Sequence, residues 1–162
     1  MVRQFIKSHI TDGLRLSIRN LLNEIEIFRS HQRGVRQARN ISCQPHLKLH
    51  IGCGPKPKQG WVNIDLSPHA DLTLDMREPL PFRNNSCLMI YSEHFFEHLD
   101  YPSHAKQFLR ESLRVLEPAG IFSVGVPDTS WPLGEYAGTR RDNWFKISKE
   151  RWHPAWCQTE ME

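Results

Sequence analysis

The sequence predicts an α/β fold built on a parallel sheet, preceded by an amphipathic helix. Three observations predict it. Five short apolar runs of strand length are separated by turn residues or by a helical period. A glycine-rich turn, Gly52-Cys53-Gly54-Pro55, breaks directly out of the first run. Acidic residues, Asp65 and Asp75, fall near the ends of the next two.

The elements follow in order. Ile10, Leu14, Ile18, Leu21, Leu22, Ile25 and Phe28 recur at steps of three and four, a helical stripe with Thr11 or Asp12 as caps. Gly34 and the Arg/Gln/Asn-rich stretch after it read as a linker. Strands follow at Leu47–Gly52, Trp61–Leu66, Asp71–Met76 and Cys87–Tyr91, the last continuously apolar, as a strand buried on both faces should be. A helix is expected after Ser103 as N-cap, burying Phe108, Leu109, Leu113 and Leu116. Pro118-Ala119-Gly120 stops it, and Ile121–Val126 forms a fifth strand. One connection is unusually short: only ten residues separate Gly54 from Asp65, with Pro55 and Pro57 among them, whereas a parallel crossover usually takes a dozen or more.

Composition bounds the class. The chain has 162 residues, of which Leu, Ile, Val and Phe make up 41, too many for a disordered polymer. No apolar run approaches a membrane span, and no signal-peptide pattern opens the sequence. Four scattered cysteines with no CxxC pair suggest a reducing cytoplasm rather than a disulfide framework. Charge divides the chain into a basic helical extension, residues 1–40, and an α/β domain, residues 41–162. The first carries a balance of +5 and the second −2. A basic amphipathic helix can touch anionic lipid or nucleic acid. The ordinary reading is that it packs on the domain or a partner with its arginines in water, because those arginines are spaced rather than clustered.

Open parallel sheets bind ligands outside the carboxyl ends of their strands, where the strand order reverses. Gly52, Cys53, Gly54, Asp65, Asp75 and the segment from Ser92 fall there. Glycines let a ligand approach the backbone. One carboxylate can accept from two vicinal ribose hydroxyls and another from an amino group. Together they describe a nucleoside site.

The runs "LKLHIGCGPKPKQGWVNIDLSP", "LTLDMREPLPFRNNSCLMIYSEHFFEHL" and "LRESLRVLEPAGIFSVGVPD" resemble class I S-adenosylmethionine-dependent methyltransferases of the small-molecule, type 11 kind, over roughly residues 47–128. The resemblance implies a Rossmann-like parallel sheet with S-adenosylmethionine as cofactor and a small-molecule methyl acceptor. It places the cofactor among His50, Gly52, Cys53, Gly54, Asp65, Leu66, Asp75, Met76 and Ser92. Gly52 and Gly54 would line its methionine part, Asp65 would hold the ribose, and Asp75 or Met76 would meet the adenine. His50 or Ile51 fills the family's acidic position before the glycine turn, and Lys56 replaces the third glycine. The Leu80-Pro81-Phe82 turn and Ser92–His98 would close the site and face the acceptor. His94, Glu97 and His98 are the candidate bases.

Three other patterns in the sequence point to different chemistry. A nicotinamide site wants a third glycine where Pro57 stands and an acidic residue later than Asp65. His94-Phe95-Phe96-Glu97-His98 spells the inverted zinc-peptidase motif, which requires both histidines on one helix face. Cys43, His46 and Cys53 lack a second tight pair, so no metal is expected.

Trp131, Trp144, Trp152 and Trp156 interleave with basic residues, as an aromatic lid or subunit contact would. The family's usual final strand pair has no counterpart after residue 128, which suggests a shortened member of the fold, or a non-catalytic module left by truncation. An unpaired sheet edge or the N-terminal helix would then allow self-association, while nucleic acid is not an expected partner.

Overall fold

A computed structural model describes residues 11–130, with 133, 134 and 137. The tryptophan-rich segment and the expected absence of a final strand pair lie outside these residues. Contacts group the chain up to Val126 into one compact unit and Pro127–Glu162 into a second.

The first unit is a parallel sheet of five strands: β1 (Leu47–Ile51), β2 (Val62–Asp65), β3 (Leu72–Thr73), β4 (Cys87–Glu93) and β5 (Leu116–Gly125). Their spatial order is β3-β2-β1-β4-β5, and every neighbouring pair is parallel. The order reverses between β1 and β4, which fixes the ligand-binding crevice at their carboxyl ends. Leu47, Leu49 and Ile51 alternate into the core with Ile64, Leu72, Leu74, Cys87 and Ile90. Among the described residues, no helix is long and apolar enough to cross a membrane.

The short β1–β2 connection is a tight loop without a helix, yet the strands pair directly, Leu49 with Val62 and Ile51 with Ile64. Asn63 makes this possible. Its Oδ1 accepts from Lys58 N at 2.7 Å, and its Nδ2 donates to Lys58 O, Trp61 O and Asp71 Oδ2. One side chain thus supplies the loop with the hydrogen bonds that a crossover helix would make internally.

Helix α1 (Asp12–Ala38) is capped by Thr11, whose hydroxyl accepts from Leu14 N. It runs through the expected linker, and its packing face is not the expected one. His31, Gly34 and Ala38 are buried, whereas Leu21, Leu22 and Phe28 are about 60% exposed. The small residues decide this. A Cβ at Gly34 would collide with the Thr73 carbonyl oxygen and come within 2.9 Å of Leu74, so glycine is what lets the helix approach β3.

Helix α2 (Ser103–Val115) starts without a side-chain cap. Pro102 holds the N-cap position, and the amides of His104 and Ala105 donate to Asp100 O instead of to Ser103. Its buried stripe is Ala105, Phe108, Ser112 and Val115, while Leu109 and Leu113 are exposed. β5 begins at once after it and absorbs Pro118-Ala119-Gly120 as an irregularity, the pairing stepping from Cys87–Leu116 to Met89–Ile121.

Alanine forms helix better than glycine by about 1 kcal/mol. Gly34→Ala is nevertheless expected to lose about 1–3 kcal/mol of stability in urea titration, because overpacking outweighs propensity. A variant as stable as the parent would contradict the close seating of α1 on β3.

Candidate functional site

A cavity of about 310 Å³ opens at the carboxyl edge of the sheet. The tips of β1 to β4 and the segments after them contribute. Gly52 comes from β1; Ile64, Asp65 and Leu66 from β2; Leu74, Asp75, Met76 and Arg77 from the segment after β3; Phe95, His98 and Leu99 from the segment after β4. Among the residues expected from the sequence, Gly52, Asp65, Leu66, Asp75, Met76 and His98 meet here.

The glycine corner provides space rather than hydrogen-bond donors. Gly52 has φ +71°, and a Cβ on it would stand 2.6 Å from the Phe95 Cβ, so any larger residue would push that wall away. The corner's amides are engaged within the protein. Gly52 N and Cys53 N donate to Ile64 O, and Gly54 N donates to Asp65 Oδ2 at 2.8 Å. Asp65 Oδ1 accepts from Ser67 N at 2.7 Å. Each carboxylate oxygen keeps a further acceptor site, so this fixed carboxylate can take two hydroxyl donors at once.

Asp75 is committed elsewhere. Its oxygens accept from Arg77 N, Nε and Nη2 at 2.8–3.0 Å, and Arg77 reaches on to Glu24 of α1 at 2.7 Å. Burial pushes the Asp75 carboxyl up, but the side-chain and backbone hydrogen bonds from Arg77 and its charge together hold it below the ordinary value. The same pairing raises the Arg77 guanidinium. His31 Nδ1 accepts from Asp75 N at 3.1 Å, and Gln107 donates to Arg77 O. The carboxylate therefore serves as an anchor between α1 and the cavity wall. Met76 is buried and lies on the same lining.

The remaining expected residues do not line this cavity. His50 alternates away from Leu49 and Ile51. Its Nδ1 donates to Asn63 Oδ1 at 3.1 Å, and its ring packs on Tyr91. Burial lowers its pKa, against the opposing effect of the Asn63 hydrogen bond. Cys53 is buried and donates weakly to Gly54 O; burial, with the charges of Asp65 and Asp71, pushes its thiol up to about 11. Ser92 is wholly buried within β4, and its hydroxyl finds no partner among the described residues. Leu80 and Phe82 are drawn into the core rather than over the site. Arg114 holds both their carbonyls, and Glu111 accepts from Leu80 N.

The histidine motif does not form a helix. Phe96–His98 is a single 3-10 turn, and His94 stands before it in a left-handed conformation, 3.6 Å from Glu97. The shared helix face that two zinc-binding histidines need is not built. His46 pairs with Glu117, and no group of three or more His, Cys, Asp or Glu among the described residues is arranged to hold a metal.

Arg77 is the main residue that the sequence reading missed, together with the apolar walls Ile64, Leu74 and Leu99. The wall positions were foreseeable from strand ends alone. Arg77 was not, because its second partner, Glu24, lies far away in the sequence.

Residues 49–124 match the model of a family described as a methyltransferase domain. No curated protein sequence matches the chain. A solved structure of a candidate S-adenosyl-L-methionine-dependent methyltransferase from Methanococcus maripaludis is 14% identical, with a TM-score of 0.40. That match spans 72% of this chain and 67% of the other. At that distance the likeness carries no argument.

A buried neutral imidazole gives a definite pH dependence. With its folded-state pKa lowered, His50 binds fewer protons than in the unfolded chain, so stability falls as pH drops below about 6.5. Thermal melts at pH 5.5 and 7.5 should show a smaller difference for His50→Gln than for the parent. Equal differences would mean that His50 is not held neutral.

Proposed function

We propose, from the match of residues 49–124 to a methyltransferase-domain family, that the cavity at the sheet edge binds S-adenosylmethionine and that the chain transfers its methyl group to a small molecule. The observation that carries this reading is the doubly held Asp65 carboxylate facing a cavity with apolar walls at the switch point of the sheet. The residues present suit the group. Asp65 retains acceptor capacity for a ribose diol, Ile64, Leu66, Leu74 and Met76 offer apolar surface to a purine, and the glycine corner keeps the wall near β1 open.

Bound there, S-adenosylmethionine supplies a methyl group on a sulfonium that is already activated toward an O, N, S or C nucleophile. The protein's part is chiefly alignment. Asp65, fixed by two backbone amides, sets the ribose without reorganising. Phe95 and Leu99 narrow the side of the cavity nearest β4 and limit water there. His98 is the histidine on the lining, and it is the group placed to accept a proton from an acceptor that must lose one. His94 lies off the lining, 65% exposed, and is given no such part.

Calorimetric titration with S-adenosylhomocysteine is expected to show one site. Asp65→Asn, which keeps the side-chain volume but loses the charge, should weaken binding by roughly 10- to 100-fold, the loss expected from a charged hydrogen bond to the diol. No heat with either S-adenosylmethionine or S-adenosylhomocysteine, in a chain shown to be folded, would overturn the reading. Binding without turnover on any acceptor would leave a cofactor-binding module.

A further inference from the structure

We infer that the outward face of α1 is a docking surface for an anionic lipid bilayer. The inference stands apart from the cavity and from the reaction proposed for it. Leu14, Ile18, Leu21, Leu22, Ile25 and Phe28 form a continuous helical stripe, and each is exposed. The helix is fixed to the sheet by the opposite side of its C-terminal half, through His31, Gly34 and Ala38, so this stripe is turned outward. An open groove of about 770 Å³ runs along it, where Leu22, Ile25 and Phe28 alternate with Arg29, Arg33 and Arg36.

Charge identifies the occupant. At 3.6 residues per turn, Arg15, Arg19, Arg29, Arg33 and Arg36 fall along the edge of the stripe away from the sheet. Arg15 pairs with Asp12, and Arg33 reaches the Ser30 hydroxyl. Glu24 is taken by Arg77 on the other side of the helix, which leaves Glu26 as the carboxylate on the groove among the described residues. Arginines beside leucines can lay their stems on apolar surface and present guanidinium groups to phosphates. A bilayer of anionic lipids takes both features at once, acyl chains against the stripe and headgroups against the arginines. A nucleic acid would satisfy the arginines but leave six apolar side chains in water. A second copy, paired antiparallel about a two-fold axis, would set the arginine edge against its own copy.

The full chain is tested by co-sedimentation with vesicles of phosphatidylcholine alone and of phosphatidylcholine mixed with phosphatidylglycerol. Binding is expected to the anionic vesicles, to weaken with added salt, and to be slight on the neutral ones. Two double variants separate the components: Leu21→Glu with Phe28→Glu, and Arg29→Gln with Arg33→Gln. All four positions are exposed, so circular dichroism should be unchanged in both. Each variant should lose roughly 10- to 30-fold in vesicle binding. Absence of binding to anionic vesicles, equal binding to neutral ones, or undiminished binding by either variant would overturn the inference. So would a dimer in sedimentation equilibrium that Phe28→Glu dissolves in a chain that ignores vesicles, or retention on oligonucleotides in place of lipid.

Discussion

Asp65 ends β2 with both carboxylate oxygens already bonded, one to the amide of Gly54 and the other to that of Ser67. The first bond closes the glycine corner after β1 onto the tip of β2, and the second turns the chain away from β2 toward β3. A single side chain thus sets the spacing of two strand ends while keeping acceptor capacity toward the cavity. The corner's own amides are used within the protein, so on the proposed reading the geometry of a bound nucleoside is set largely by this carboxylate. Its rigidity is the useful property: an acceptor that does not have to reorganise loses less on binding than one on a mobile loop.

That arrangement rests in turn on a connection without a helix. Ten residues bridge two directly paired parallel strands because Asn63 gathers Lys58, Trp61 and Asp71 around one amide. The loop shields one side of β1, where the His50 ring lies tilted against Tyr91 and the Trp61 ring meets Tyr91 edge to face, with Lys58 over the Tyr91 ring. The far wall of the cavity is secured differently. Arg77 ties Asp75 to Glu24, so α1 holds the segment after β3 as well as packing on it. Helix and sheet are therefore coupled through charge at the rim and through the Gly34 contact below it.

The strands were legible because their signals are local. The apolar run of β4 marks a strand, but not one buried on both faces as expected, since Cys87, Ile90 and Ser92 are buried while Leu88 is 41% exposed. Leu and Ile alternate in β1, and the glycines and Asp65 sit where strand ends must be. The same alternation already placed His50 opposite Leu49 and Ile51, so its distance from the cavity could have been read in the sequence. Other features could not. Large apolar residues make the conspicuous stripe of α1, yet close approach is governed by what is small, and Gly34 reads as a break until Thr73 is known to lie beneath it. Leu80 and Phe82 resemble a turn over the site until Arg114 claims their carbonyls from a separate helix. Asp75 reaches the cavity lining as a strand tip should, but its pairing with Arg77 has no local sign, because Arg77 takes its orientation from Glu24 in another element. Long-range charge partners and small-residue contacts leave no periodic trace, and it is there that the sequence reading and the fold diverge.

On the proposed reading, the clasp at Asp65 borders a nucleoside site. The most direct measurement is a backbone amide spectrum of the isotopically labelled chain during titration with S-adenosylhomocysteine. Saturable shifts at Gly54 and Ser67, whose amides report on the Asp65 oxygens, together with shifts at Leu66 and Met76, are the predicted result. Unmoved Gly54 and Ser67 amides, with any changes confined to the α1 groove or to the His50 side of the sheet, would contradict it.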